Sequence, residues 1–570
     1  MRLLGGLVRA YGALTSTVYR ARQVEARLRS PEVTGGEPVA RPDARGRRNI
    51  LFVTVDQQRF DALGALGGAV ARTPALDAVA RAGVTYHRAH VHNVVCMPSR
   101  STMLTGQHPR THGVVTNGVP LPHDAPSVAA YLRAAGYRTA LVGKAHFDPH
   151  LDPWLAYEEN QLAARGDGPW RGFEHVALAT HGPHGGHHYA RWLREHHPED
   201  VRGFAGVLTG DGGGDTRAPE VAHNPIARER YHTDWVADRA LAWLGSLPRE
   251  EPFFCWMSFP DPHHPYDPPY DEVRRRLDWR DVPLAAGHPG SRERVEALLA
   301  TKPAHWMGYW RGSFRNAEGG PTTVVPSRLT TDQLREMAAM IHVENELIDE
   351  AVGRVMAWLR ERGLDEHTDV VFTSDHGELQ GDHGLWFKGP YHVDALVRVP
   401  LLWRPAPREG IPPASVRAPV GNVSLAPTFC AIAGLPVPSW MDGAPLPLSD
   451  DAPEARACER VITTFDSNFA DVGMHLRTIF RDGHLCTVYA PSAREGCGEF
   501  PLYWALWRRG SVVPRYDGSE GELYDCEADP QQHHNLWGDP SRRALRDALV
   551  ADLRDHLPPL RRRLRVAAPT

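Results

Sequence analysis

Lysine is almost missing from this chain: three residues, Lys144, Lys302 and Lys388, stand among 64 lysines and arginines combined. A sequence that writes its surface cations as arginine keeps lysine where a compact ammonium has a task of its own. Paired cysteines are missing too. The seven, at 96, 255, 430, 458, 486, 497 and 526, follow no regular spacing, which argues against a disulfide framework and for a reducing, cytoplasmic compartment. No stretch approaches the roughly 18 consecutive apolar residues of a membrane span, and the apolar patch at 3–8 is too short for a secretory signal. A formal charge of −5 on a chain of 570 residues gives no case for attraction to nucleic acid or to a membrane surface.

What is present is ordinary globular material, 42% hydrophobic and 23% charged, enough for one large domain and a smaller companion. Residues 1–46 read as a loose N-terminal extension, with an amphipathic surface helix over 3–20 as the alternative. Residues 49–55 are a continuous apolar run, the pattern of a strand buried on both faces of a parallel sheet. Further strand runs at 139–142, 252–259, 369–373 and 399–403 alternate with helical patterns at 127–135, 233–247 and 329–363. That rhythm predicts an α/β fold with a large, mostly parallel sheet sandwiched by helices over 47–445. The stretches 150–230 and 270–327 read as irregular, substrate-facing insertions, and the histidines at 181–188 in the first lack a fixed metal-ligand spacing. Beyond 445 the texture changes. Residues 476–480 and 485–489 alternate like antiparallel strands around Arg481, Asp482 and Gly483, and 541–557 reads as a closing helix. We assign 446–570 to a smaller α+β domain with an antiparallel sheet.

The chemistry gathers at the strand ends, where open α/β sheets bind their ligands. Cys96-Met97-Pro98-Ser99-Arg100 is followed by Leu104-Thr105-Gly106. Pro98 signals a helix starting just past the cysteine, which places Cys96 at a helix N-terminus, where anions are favoured. Arg100 falls one turn later on the same face, within reach of whatever sits over Cys96. A low-pKa or chemically modified cysteine facing an anionic substrate is the functional reading; a buried structural cysteine is the other. Asp56 and Gln57 end the first strand, and Lys144 and His146 end another. His263 sits in a proline-punctuated loop, Asp375 and His376 close a fourth strand ahead of Lys388, and Asn117 lies in the loop at 114–121. Neighbouring carboxylate and imidazole are good divalent-cation ligands, and the lysines and arginine make the surroundings cationic.

Taken together, these blocks resemble the Cys-type sulfatases of the alkaline-phosphatase-like superfamily. The match runs through Asp56-Gln57, C-x-P-S-R, G-K-x-H-F at 143–147, D-P-H-x-P at 261–265, S-D-H-G at 374–377 and Leu523-Tyr524-Asp525. The resemblance covers roughly 47–540. It implies that a maturation enzyme, a formylglycine-generating enzyme, oxidises Cys96 to formylglycine (3-oxoalanine), whose hydrate attacks a sulfate ester and holds a covalent sulfated intermediate. It further implies that Asp56, Gln57, Asp375, His376 and the modified Cys96 hold one divalent cation, usually calcium in the family, with manganese or magnesium as alternatives. Arg100 and Lys144 would hold the hydrate and the sulfate oxygens, and His263 and Lys388 would stabilise or protonate the leaving oxygen. His146 would assist collapse of the intermediate, and Asn117 would supply an auxiliary substrate contact.

One departure bears on the substrate. Many arylsulfatases carry Asp-Asp and Asp-Asn where this chain has Asp56-Gln57 and Asp375-His376. The combination found here also occurs in phosphonate monoester and phosphodiester hydrolases of the same superfamily. The sequence therefore leads to a sulfuric ester hydrolase acting on a small-molecule or carbohydrate sulfate. The alternatives are a phosphonate monoester or phosphodiester hydrolase with the same nucleophile, and a non-catalytic binding protein.

Overall fold

Residues Asn49–Val55 form strand β1, and its side chains divide between two cores as the pleat dictates: Leu51, Val53 and Val55 face one, Ile50 and Phe52 the other. The computed structural model describes residues 44–560 apart from 151–156, 184, 210–212, 316–319, 322, 467–473 and 492–513. Almost all of the N-terminal extension (1–43), its alternative helix and Cys497 therefore lie outside the described residues.

The strands that follow are β2 (Val84–Tyr86), β3 (Ala89–His90), β4 (Arg138–Gly143), β5 (His175–Leu178), β6 (Phe253–Ser258), β7 (Thr368–Ser374), β8 (Leu401–Arg404), β9 (Ala414–Val416) and β10 (Val420–Gly421). Eight of them make one sheet in the order β5-β4-β6-β1-β7-β8-β2-β9, while β3 and β10 pair separately. The sheet is parallel except at β8, which runs antiparallel to both β7 and β2. β1 at its centre pairs with β6 and β7. The carboxyl ends of β1, β4, β6 and β7 therefore emerge side by side.

The helices that matter for the site are α1 (Cys96–Thr105), α2 (Glu158–Arg165), α3 (His188–His196), α4 (His232–Gly245), α5 (Thr331–Glu361) and α6 (Arg543–His556). α4 and α5 cover one face of the sheet, where Val236, Ala240, Ile348, Val352 and Val355 pack on Leu51 and Val53. Each buried Val or Ile there is worth about 1.5–3 kcal/mol. α5 starts in a capping box between Thr330 and Gln333, a start one to two residues inside the expected 329–363. On the opposite face the Phe52 ring lies 5.0 Å from Trp256 and 4.8 Å from Phe429, in the core that also takes Met97, Met103 and Leu104 of α1.

The antiparallel sheet contains β11 (Arg460–Asp466), β12 (His475–Arg481), β13 (His484–Ala490) and β14 (Gly521–Asp525) in sequence order. Asp482 and Gly483 both have positive φ, 48° and 73°, the tight turn that suits a two-residue hairpin. One face of this sheet packs Ile479, Cys486 and Leu523 against Leu549 and Leu553 of α6. The other sends Phe465, Leu476, Phe480, Tyr489 and Tyr524 into the core of the large sheet.

Two expectations need correction. The stretch 150–230 is not an irregular insertion: it supplies α2, α3, helix Pro198–Thr209 and the edge strand β5, which pairs in parallel with β4. The stretch 270–327 contains helices Tyr270–Arg276, Arg292–Leu299 and Ala304–Arg311. A four-residue strand and helices of about two turns are too short to show a period, and the surrounding Gly, Pro and His mask what signal remains.

Candidate active site

Two glycines let the strand ends approach closely enough to form a site. Gly143 ends β4 with φ +105°, and a Cβ there would stand 1.7 Å from the Ser258 carbonyl oxygen; at Gly377 it would stand 1.9 Å from that of Ala395. The first contact seats Lys144 beside β6, and the second holds the turn after His376 against residues Ala395 and Leu396.

Cys96 is the first residue of α1 and is buried. Val95, in the N-cap position, has no side chain able to cap, so Asn117 does so from its loop: its Oδ1 accepts from Met97 N at 2.9 Å. Asn117, expected as a substrate contact, thus has a structural duty at the helix that Cys96 begins. The Cys96 Sγ lies 3.2 Å from His376 Nε2, 3.4 Å from Lys388 Nζ, 3.7 Å from Asp56 Oδ1 and 4.0 Å from Lys144 Nζ. Burial and Asp56 push the thiol up, yet Lys144, Lys388 and His376 bring it below its ordinary value.

Arg100 is fully buried and does something other than reach over Cys96. Its Nε donates to Asp375 Oδ2 at 2.7 Å and Nη2 to Asp56 Oδ2 at 3.3 Å, while Nη1 donates to Lys144 O at 2.9 Å and Ser258 Oγ at 2.8 Å. The fork therefore ties two carboxylates, β4 and β6 into one piece. Burial would raise the Asp56 carboxyl, but Lys144, His263, Arg100 and Lys388 together hold it well below the usual range.

The four residues Asp56, Cys96, Asp375 and His376 each offer one ligand atom, all within 4.8 Å of one another and all buried. His376 Nδ1 faces the Gly377 carbonyl at 2.9 Å, so it carries the proton and leaves the Nε2 lone pair directed at the cluster. This donor set fits a divalent cation. Gln57, at φ 68°, gives its backbone N–H to Asp375 Oδ1 at 3.1 Å and accepts from Lys388 Nζ on Oε1 at 2.7 Å. Its Nε2 donates to Glu378, which fixes which end of the amide faces the lysine.

Lys144 Nζ pairs with Asp56 and lies 2.9 Å from His181 Nε2. Lys388 Nζ lies 2.6 Å from His263 Nε2, and the His263 ring is stacked between His181 and His264, 4.2 Å from each. Burial, then Lys388 and the neighbouring imidazoles, keep His263 well below its ordinary basicity. His146 does not share the direction of Lys144 as strand alternation would have it, because its backbone is left-handed at φ 59°. Its ring stacks on His150 at 3.9 Å, neither ring nitrogen has a hydrogen bond among the described residues, and burial, His150 and Lys144 lower its basicity.

The structure adds three residues that the sequence reading had not singled out: His181, Ser258 and Glu378. Glu378 directly follows the S-D-H-G block, two places after His376, and a carboxylate in a strand-end turn is its available signal. His181 lay in the histidine-rich stretch, where nothing in the spacing ties it to Lys144.

An eight-stranded, mostly parallel sheet with a cationic cluster at its carboxyl edge and a small antiparallel sheet beside it defines an α/β protein of the alkaline-phosphatase-like kind. The sulfatase family model matches residues 48–435, and the chain belongs to the sulfatase family. It is 28% identical over 514 residues to the multifunctional alkaline phosphatase superfamily protein PehA of Trinickia caryophylli, covering 88% of this chain and 93% of that one. It is also 26% identical over 526 residues to the choline-sulfatase of Rhizobium meliloti, 90% of this chain and 86% of that one. Among solved structures, the phosphonate monoester hydrolase of Agrobacterium radiobacter superposes with a TM-score of 0.68 at 24% identity, over 89% of this chain and 95% of that one. No helix among the described residues is long and apolar enough to cross a membrane.

Proposed function

We propose that the protein hydrolyses a sulfate ester of a small molecule or carbohydrate, with Cys96, matured to formylglycine (3-oxoalanine) by a formylglycine-generating enzyme, as nucleophile. The observation that carries this reading is the Cys96 sulfur at a helix N-terminus, with two lysine ammonium groups within 4.0 Å and two carboxylates joined through one buried arginine. Asp56, Gln57, Asp375 and His376 would hold one divalent cation, calcium, with manganese or magnesium as alternatives. Bound there, it would neutralise sulfate charge and acidify the attacking hydroxyl. Arg100 helps keep Asp56 ionised and holds both Asp56 and Asp375 in place. Lys144, steered by His181, and Lys388, steered by Gln57, present ammonium groups to the sulfate oxygens. Lys388, held by His263, would protonate or stabilise the leaving oxygen, and His146, whose ring nitrogens have no hydrogen bond among the described residues, would assist collapse of the sulfated intermediate.

A second reading, phosphonate monoester or phosphodiester hydrolysis with the same nucleophile, has its own support. Gln57 is neutral where many arylsulfatases have an anionic Asp, His376 stands where they have Asn, and the relatives above include a multifunctional superfamily member. The first experiment is a mass spectrum across Cys96 from protein co-produced with a formylglycine-generating enzyme. Loss of about 18 Da, thiol to aldehyde, is expected, followed by faster turnover of aryl sulfate than of aryl phosphonate in parallel assays. An unmodified thiol despite an active maturation enzyme rejects the nucleophile; preference for the phosphonate selects the second reading.

A further inference from the structure

Beyond the Cys96 cluster, the described residues hold a buried group that the reaction does not use. His150, Glu159 and His187 each offer one ligand atom, and the three atoms lie within 4.8 Å of one another. They come from three segments: the loop after β4, the first turn of α2, and the residue preceding α3. His150 Nε2 is 3.0 Å from Glu159 Oε1, and His187 Nε2 is 3.9 Å from the same oxygen. The two imidazole rings stand edge-on at 5.1 Å. Donors held by one tetrahedral zinc ion at about 2.0–2.2 Å stand about 3.3–3.5 Å apart, a spacing the two measured distances bracket.

The surroundings favour a cation. Glu159 is fully buried, and its oxygens accept the backbone N–H groups of His146, Phe147 and Asp148 at 2.8–3.0 Å, which fixes the carboxylate's position. A second buried carboxyl, Asp148, accepts from Glu159 N at 3.2 Å. The guanidinium nearby, Arg171, stays 3.8 Å from Asp148. His150 is the partly open member, its side chain 18% exposed, and gives an ion a way in.

We propose that His150, Glu159 and His187 form a second metal site, for a zinc-class divalent ion, distinct from the cluster at Cys96. The ion takes the place of the proton shared between His150 and Glu159 Oε1, and a fourth position stays open to water. Two imidazoles and one carboxylate select a borderline-soft ion, whereas the Cys96 cluster offers two carboxylates beside one sulfur and one imidazole. Because His146 stacks on His150 and lends its N–H to Glu159, occupancy would clamp the segment that carries His146. The inference stands whichever ester the Cys96 site hydrolyses.

The test uses the full chain, stripped with chelator, saturated with Ca2+ and then exposed to Zn2+, with bound zinc counted per chain after gel filtration. The expected result is one zinc fewer per chain in His187→Ala than in wild type, and a visible tetrahedral Co2+ spectrum lost in the same variant. His150→Gln, at the partly exposed position, supplies the same comparison should His187→Ala fail to fold. Equal zinc counts in wild type and a folded variant, or no zinc retained by wild type, overturn the proposal.

Discussion

Arg100 carries the largest single burden among the site residues, because one planar fork serves Asp56, Asp375, a β4-end carbonyl and the Ser258 hydroxyl. An ammonium cannot reproduce that geometry. Arg100→Lys is expected to lower kcat/KM about a hundredfold, about 2.7 kcal/mol of transition-state stabilisation. Steady-state kinetics on material with an unchanged circular dichroism spectrum checks it, and an unchanged kcat/KM would refute the bridging role. Lys302, the lysine outside the site, explains its own retention differently. Its Nζ donates to Tyr524 Oη at 2.6 Å and Gln532 O at 2.5 Å, above the rings of Trp306 and Tyr524 and facing Glu522 and Asp529. Burial pushes it down to about 8 from 10.5. A lysine depressed on folding binds fewer protons in the native than in the unfolded state between those values, so stability rises with pH across that window. Wild type should gain about 2 kcal/mol on Lys302→Met between pH 7.5 and 9.5. Urea midpoints at the two pH values measure it, and a constant difference would contradict it.

At the scale of elements, Gly143 is the position where β4 can least tolerate a side chain. Gly143→Ala must either part β4 from β6 or leave φ +105°, and a loss of about 3 kcal/mol or more, or failure to fold, is expected. Thermal denaturation against Gly67→Ala, a positive-φ glycine with open space around it, separates crowding from backbone strain. The strands that built the frame were legible because β1, β4, β6 and β7 each carry an apolar run of at least three residues, and β1, β4 and β7 lead straight into polar residues. β5 was not: His-Val-Ala-Leu between glycine-rich turns has no period to read. The duties of Asn117 and His181 were hidden for a related reason. Capping α1 from 20 residues away and bonding Lys144 from 37 away are products of tertiary placement, which local pattern does not encode.

For the whole molecule, the two sheets are less separate than the change of texture near 445 implies. Phe465, Leu476, Phe480, Tyr489 and Tyr524 of the small sheet share one continuous core with Ile50, Phe52 and Trp256 of the large one. Thr463 Oγ1 also donates to Val91 O at 2.6 Å, and Thr464 N to His92 O at 2.9 Å, just ahead of Cys96. The described molecule should therefore unfold in a single calorimetric transition. Two resolved transitions, or a folded fragment ending near residue 445, would show the small sheet to be dispensable.

The burial of Lys144, Lys302 and Lys388, at 1%, 7% and 3% exposure, has a consequence for covalent labelling. No lysine amine faces solvent in the native molecule, so acylating reagents and lysine-tagging enzymes find no side-chain target on its outside. Every acylated lysine is then the record of an opening: at 144 or 388 of the cluster around Cys96, at 302 of the seam between the sheets.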